Sequence, residues 1–201
     1  MIKKNRAMIF IDGANVYHLV KAYYGERDDH GRLKFPSLDY RIFCDLLAGE
    51  SRRLIESHFY IVSVDQSEEP EIYAGQQRFF SRLREIPYFK IHYGRLAKRE
   101  REMACPFCKK LFFHKCRIEK GVDVTLAVHM VTFAYDDLYD TAILVSDDGD
   151  FVTAVEEVRR LRKTVINATL PENQKHILAK SCGQGNFIPI AKDFIKKCLI
   201  T

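Results

Sequence analysis

Asp12 and Asn15 follow the apolar run of "IFIDGANVY", Asp123 stands in "KGVDVTLAV", and Asp147, Asp148 and Asp150 crowd behind the strand-like start of "ILVSDDGDF". Two carboxylates about 4 Å apart repel by roughly 4 kcal/mol at an effective dielectric near 20, so such a cluster needs water, protonation or a cation between its members. Taken singly, each motif has a structural explanation. An Asp-Gly pair after a strand signals a turn, and Asp150 ahead of a helical pattern is a good N-cap. Together, Asp12, Asp123, Asp148 and Asp150 would form an all-oxygen, strongly negative pocket, which hard cations such as Mg2+ or Mn2+ prefer over Zn2+. Phosphate esters are the substrates that such ions serve.

A second constellation lies in "CPFCKKLFFHKC", where Cys105, Cys108, His114 and Cys116 stand in a C-x2-C-x5-H-x-C arrangement that suits a closed tetrahedral structural zinc. The alternatives are unliganded thiols in a loop or a redox pair, the latter disfavoured because the two cysteines do not open a helix after a strand. Between Gly94 and Lys120 nine basic residues face three acidic ones, which accounts for the net charge of +5 and leaves the rest of the chain near neutral. Arg95, Lys109, Lys110 and Lys120 are candidate contacts to a polyanion, and Phe107, Phe112 and Phe113 could stack on bases or form the small core of a zinc knuckle.

The elements that must position these groups alternate. Strand-length apolar runs occur at Met8 to Ile11, Phe59 to Val64, Phe89 to Tyr93, Ala142 to Val145, Val165 to Asn167 and Phe187 to Ile190. Helical spacing fills Asn15 to Tyr24, Asp39 to Ala48, Glu71 to Ile86, Val122 to Ala134, Asp150 to Leu161 and Gln174 to Ser181. This rhythm predicts one α/β domain with a mainly parallel central sheet, interrupted by residues 95–120, which read as an insertion. In such sheets functional groups collect beyond the carboxyl ends of strands at the point where strand order reverses, so the acids converge if their strands are neighbours there. No apolar stretch has the length of a membrane span and no signal-peptide pattern opens the chain, so a cytoplasmic protein with no membrane partner is expected. Oligomeric state is left open, a homodimer included.

"IFIDGANVY", "KGVDVTLAV" and "ILVSDDGDF", in this order and these contexts, resemble the signature blocks of the NYN domain, in particular its bacterial LabA-like branch, related to the PIN nucleases. The resemblance runs from about Arg6 to Ile190. It implies a PIN-like, three-layer α/β/α sandwich and metal-dependent endoribonuclease activity, with catalytic roles for Asp12, Asn15, Asp123, Asp148 and Asp150 and Mg2+ or Mn2+ held by Asp12, Asp123 and Asp148. Ser146 and Lys120 would meet the RNA. Two positions depart from the family pattern: Asp147 replaces a small residue, usually glycine, and His129 replaces an acid in the "LAV" helix. Asp147 would point away from the metal, and His129 would pack or face solvent. The competing functions are a non-catalytic RNA- or nucleotide-binding regulatory module on the same fold, and an aspartyl-phosphate phosphatase. The phosphatase needs an aspartate two residues after the first, where this chain has Ala14.

Overall fold

The computed structural model describes residues 4–27, 33–34, 36–67, 69–104 and 106–200, and excludes the side chains of Arg27, Leu33, Lys34, Arg101, His114, Lys115, Cys116 and Glu119. In chain order the elements are β1 (Asn5–Asp12), α1 (Gly13–Tyr24), β2 (Glu26–Arg27), β3 (Leu33–Lys34), α2 (Tyr40–Ala48), β4 (Arg52–Val62), α3 (Pro70–Arg84), β5 (Phe89–Ala104), β6 (Leu111–Lys120), α4 (Val122–Tyr135), β7 (Thr141–Val145), α5 (Val152–Arg160), β8 (Thr164–Thr169), α6 (Ile177–Ser181), β9 (Phe187–Pro189) and α7 (Lys192–Lys197). Seven strands form one sheet in the order β6-β5-β4-β1-β7-β8-β9. Every pairing in it is parallel except β5 with β6.

Alternation along β1 separates two cores. Ala7, Ile9 and Ile11 point into a cluster with Val16 and Leu19 of α1, Phe43 of α2 and Phe80 of α3. Met8 and Phe10 point the other way, against Leu126 and Met130 of α4 and Val155 of α5. β1 thus buries both faces, as a parallel strand between two helical layers must. Fully burying a side chain such as Ile9 or Phe10 contributes about 1.5–3 kcal/mol. This is an α/β/α sandwich, as the alternation of runs predicts. Among the described residues no helix is long and apolar enough to cross a membrane.

The chain runs from β1 through α1 and α2 to β4 on one side, whereas β7 leads through α5 to β8 on the other. The strand order therefore reverses between β1 and β7, whose register pairs Ile11 with Val145. At their amino ends the two are clamped by Arg6, whose Nη2 lies 2.8 Å and Nε 3.2 Å from the Asp140 carboxylate. That contact holds Asp140 well below the usual range, at about 2.

Residues 95–120, read from sequence as an insertion, form a two-stranded arm: β5 continues past its parallel pairing with β4, which ends at Gly94, and folds back on β6 as an antiparallel hairpin from Arg95–Lys120 to Ala104–Leu111. The short helix α7, which the sequence did not mark, returns the chain to the first core, where Ile195 and Cys198 are buried.

Against the second core three imidazoles are clustered, His58 stacked on His92 and His129 of α4 meeting His92 edge-on. His58 Nδ1 lies 2.9 Å from His92 Nε2, His92 stacks on Tyr60, and the Tyr60 hydroxyl is 3.0 Å from His129 Nδ1. Glu56 Oε2 approaches His58 Nε2 to 3.3 Å without hydrogen-bond geometry, so that nitrogen stays unsatisfied. Burial, reinforced by the neighbouring imidazoles, pushes His58 down to about 3, and burial likewise lowers His92 to about 4. Because an unfolded histidine titrates near 6.5, the folded state binds fewer protons below that pH. The stabilisation is fully present above about pH 6.5 and is lost as pH falls towards these depressed values. For His58 the loss by pH 5 is on the order of 2 kcal/mol. Urea unfolding at pH 7.5 and pH 5 should show that much less acid sensitivity in His58→Phe than in wild type, and equal sensitivity would contradict the burial of a neutral imidazole.

Candidate active site

Asp12 ends β1 and caps α1, accepting the Asn15 backbone N–H at 3.2 Å. Its other oxygen accepts the Ser146 hydroxyl at 3.1 Å. Ser146 has no exposed surface, and its Oγ also accepts the Asp148 N–H at 3.2 Å. One buried serine thus joins the end of β1 to the loop after β7. That loop is held from below by Asn167 of β8, whose Nδ2 donates to the Ser146 carbonyl at 2.7 Å and the Leu144 carbonyl at 3.3 Å. Asp148 then caps a single 3-10 turn, Gly149–Phe151, by accepting the Asp150 N–H at 2.9 Å. The N-cap expected of Asp150 therefore belongs to Asp148. Asp150 lies inside that turn with its side chain exposed.

Asp123 arrives from the hairpin. Gly121, at φ 88°, turns the chain from β6 into α4, a left-handed conformation in which glycine is unstrained. Gly94 lets this corner lie close on β5: a Cβ there would stand 2.4 Å from Val122 Cγ2 and 2.9 Å from the Lys120 carbonyl. Gly94→Ala should therefore push the first turn of α4, and Asp123 with it, outwards. We expect a stability loss of about 1–3 kcal/mol by urea unfolding, typical of overpacking.

Two of the four acids, Asp12 and Asp123, are raised. Burial raises Asp12 to about 6, and Asp123 adds to the rise against the hydrogen bonds from Asn15, Ser146 and Ala14. Burial also raises Asp123, reinforced by repulsion from Asp148 and Asp150. Among the described residues none of the four has a basic ion-pair partner. Nor do any three acid, histidine or cysteine groups there converge closely enough to enclose an ion unaided. All-oxygen donors with unrelieved mutual repulsion fit Mg2+ or Mn2+, of which the former typically takes one or two carboxylates and completes its shell with water. The acids stand at the end of β1, in the loop after β7 and in the first turn of α4. The large cavity of about 580 Å3 lies on the other flank of α1, walled mainly by apolar groups such as Val16, Val20, Ile61 and Phe79, with Gly13 on its edge.

The family model for the NYN domain matches residues 6–191. The chain belongs to the NYN domain family. This match is to the family as a whole, not to one of its branches. The NYN chain is also similar in structure to a protein of unknown function from Vibrio parahaemolyticus, at 21% identity and a TM-score of 0.62, covering 100% of this chain and 99% of the other. Comparison with curated proteins gives no match. The NYN domain carries a PIN-like nuclease fold, and the sandwich described above has that form.

Within this NYN domain several residues stand elsewhere than the sequence suggests. Ser146, expected to meet substrate, is sealed beneath the acids, because its hydroxyl is consumed in joining Asp12 to Asp148. Asn15 offers its backbone N–H to Asp12, while its side-chain amide donates to Asp147. Asp147 also accepts the Asn173 amide at 3.1 Å, so it ties α1 to the 3-10 turn Pro171–Lys175 after β8. Asn173 was not singled out in the sequence; its place just past a strand's carboxyl end was the available signal. His129 is half-buried and stacks on Phe133.

Arg95 and Lys120 pair at the hairpin's root, beside Asp123, whereas Lys109 and Lys110 lie exposed at its tip. The zinc-type residues are strung along this arm. Cys105 lies outside the described residues, Cys108 is exposed in the tip turn, and the side chains of His114 and Cys116 are outside the description. Cys116 is five residues along β6 from Leu111. At about 3.4 Å per residue that is about 17 Å, so the register lends no support to one tetrahedral centre.

Proposed function

We infer that this protein is a metal-dependent endoribonuclease that hydrolyses RNA phosphodiester bonds at the crevice between β1 and β7. The observation that carries this reading is the set Asp12, Asp123, Asp148 and Asp150, in which Asp12 and Asp123 are raised partly by other members and, among the described residues, no basic side chain pairs with any of the four. A fold that keeps such repulsion at its switch point, where open α/β sheets bind ligands, is organised for a cation brought from outside.

Asp12, Asp123 and Asp148 are the groups that would hold Mg2+ or Mn2+. When bound there, the ion supplies Lewis-acid polarisation of the phosphate and lowers the pKa of water. The protein's own contribution is position. Ser146 and the Asn15 N–H orient the Asp12 carboxylate, and the Asp150 N–H orients that of Asp148. Asp150, exposed beside Asp148, orients the attacking water in this reading. Asn15 has one amide hydrogen on Asp147 and a second free to donate to a phosphate oxygen. Lys120 and Arg95 reach the phosphates on the Asp123 side.

The test is incubation of end-labelled single-stranded and hairpin RNAs with the purified protein in Mn2+, Mg2+ or EDTA. Internal cleavage that needs the ion and stops in EDTA is expected. RNA that is bound but never cut under any of these conditions would instead favour the regulatory binding module.

A further inference from the structure

The β5–β6 hairpin sorts its charges by register. Side chains alternate between faces along a strand, and cross-strand partners share a face. The pairs Arg95–Lys120, Ala97–Ile118, Arg99–Cys116 and Met103–Phe112 therefore put Arg95, Arg99 and Lys120 on one face, with the exposed Met103 and Phe112 towards the tip. All three glutamates of the arm, Glu100, Glu102 and Glu119, hold register positions of the opposite face, along with Lys98, Lys115 and Arg117. There Arg117 pairs with Glu69 at 3.0 Å, and Asp65 is attracted by both Lys98 and Arg117. The opposite face is thus balanced by acids. Among the described residues, Arg95, Arg99 and Lys120 have no acidic partner.

The cationic face also begins where the acids end. β5 leaves β4 at the Gly94–Val62 pair, at the carboxyl edge of the sheet, the same edge that carries Asp12 and Asp148, and Lys120 precedes Asp123 by three residues. From Arg95 to Arg99 is about 14 Å along the strand, and from Arg95 to Met103 about 27 Å. A row of unpaired cations ending in an exposed aromatic ring matches a single strand, whose backbone runs along the charges and whose unstacked bases meet the ring. A duplex offers no such base.

We propose that the Arg95–Arg99–Lys120 face of this hairpin is the track by which single-stranded RNA reaches the aspartates, with Phe112 stacking on a base. This rests on reading the aspartate cluster as a ribonuclease site. Binding of a short fluorescein-labelled single-stranded RNA, followed by anisotropy in EDTA over a range of NaCl concentrations, tests it without turnover. Each phosphate contact to a single strand contributes about 0.7 to the slope of log K against log salt. Arg95→Gln/Arg99→Gln should therefore lower the slope by about 1.4 and weaken binding at least about tenfold at moderate salt. Lys98→Gln/Arg117→Gln removes the same charge and should leave the slope nearly unchanged. Arg95→Lys/Arg99→Lys should restore it, and a duplex of equal length should bind more weakly.

Equal losses for the two glutamine pairs would mean diffuse attraction and overturn the track, as would an unchanged slope in Arg95→Gln/Arg99→Gln or equal binding of the duplex. Circular dichroism melts of each variant identify any that fail to fold. In that event Phe112→Ala serves as the second arm: it should weaken binding about tenfold with the salt slope intact, and unchanged affinity would overturn the stacking contact. A wild type that binds along this face yet does not cleave would refute the ribonuclease reading and leave the track standing.

Discussion

Asp148→Asn is expected to slow Mn2+-dependent RNA cleavage about a thousandfold while leaving RNA affinity in EDTA equal to or slightly above that of wild type. A bound divalent ion contributes several kcal/mol of charge stabilisation in the transition state, and each 1.36 kcal/mol is about tenfold in rate. Asparagine keeps the oxygen that accepts the Asp150 N–H, so the 3-10 turn Gly149–Phe151 retains its cap and the loop its shape. What is lost is the charge. RNA binding should not suffer, because removing a carboxylate from the crevice reduces its repulsion of phosphate. Single-turnover kinetics with a labelled RNA, beside an anisotropy titration in EDTA, separate the two effects. A variant that cleaved as fast as wild type would remove Asp148 from the machinery.

The second large effect runs in the opposite direction, towards stability. Asp12 is buried and raised to about 6, against 3.8 for a free aspartate. A carboxyl group whose folded value is raised destabilises the fold above that value, and the penalty is relieved as pH falls through about 6 towards 3.8. At neutral pH it costs about 3 kcal/mol. Asp12→Asn should therefore melt about 5 °C higher than wild type at pH 7.5 in EDTA, after allowance for the weaker hydrogen bonds of a neutral acceptor. The gap should close at pH 4, where the wild-type residue is protonated. Mn2+ should raise the melting temperature of wild type and not that of Asp12→Asn. A lower melting temperature for Asp12→Asn in EDTA at pH 7.5 would mean that the charge is balanced within the fold.

The opposing signs of Asp12 and His58 explain why each needs its own variant. Below about pH 6 protonation of Asp12 favours the folded state, whereas neutral His58 penalises it. The net curve of the wild type would disguise both.

The sandwich and its switch point were legible because buried parallel strands leave plain apolar runs, as in Met8 to Ile11 and Ala142 to Val145, and because the acids follow those runs directly. The hairpin was not. A two-stranded arm exposed on both faces has no apolar side to display: Arg95, Lys98, Arg99 and Glu100 read as loop, although β5 passes through them. Its charge sorting depends on the register with β6, which no single strand reveals. The linking role of Ser146 is not legible in the sequence, because a hydroxyl beside three aspartates serves substrate or scaffold equally well, and its burial appears only in the fold. The role of Asp147 was hidden for a similar reason. Its partner Asn173 is 26 residues away, beyond α5 and β8, and the contact exists only once those elements pack.

Calorimetric titration of Mn2+ into wild type and into Asp12→Asn/Asp148→Asn bears most directly on the aspartate cluster as a cation seat. Wild type should show saturable binding that EDTA reverses and that weakens as pH falls through about 6, where Asp12 takes up its proton. The double variant, folded by circular dichroism, should show no such isotherm. Equal binding by both proteins, or none by either, would mean that these carboxylates do not hold the metal.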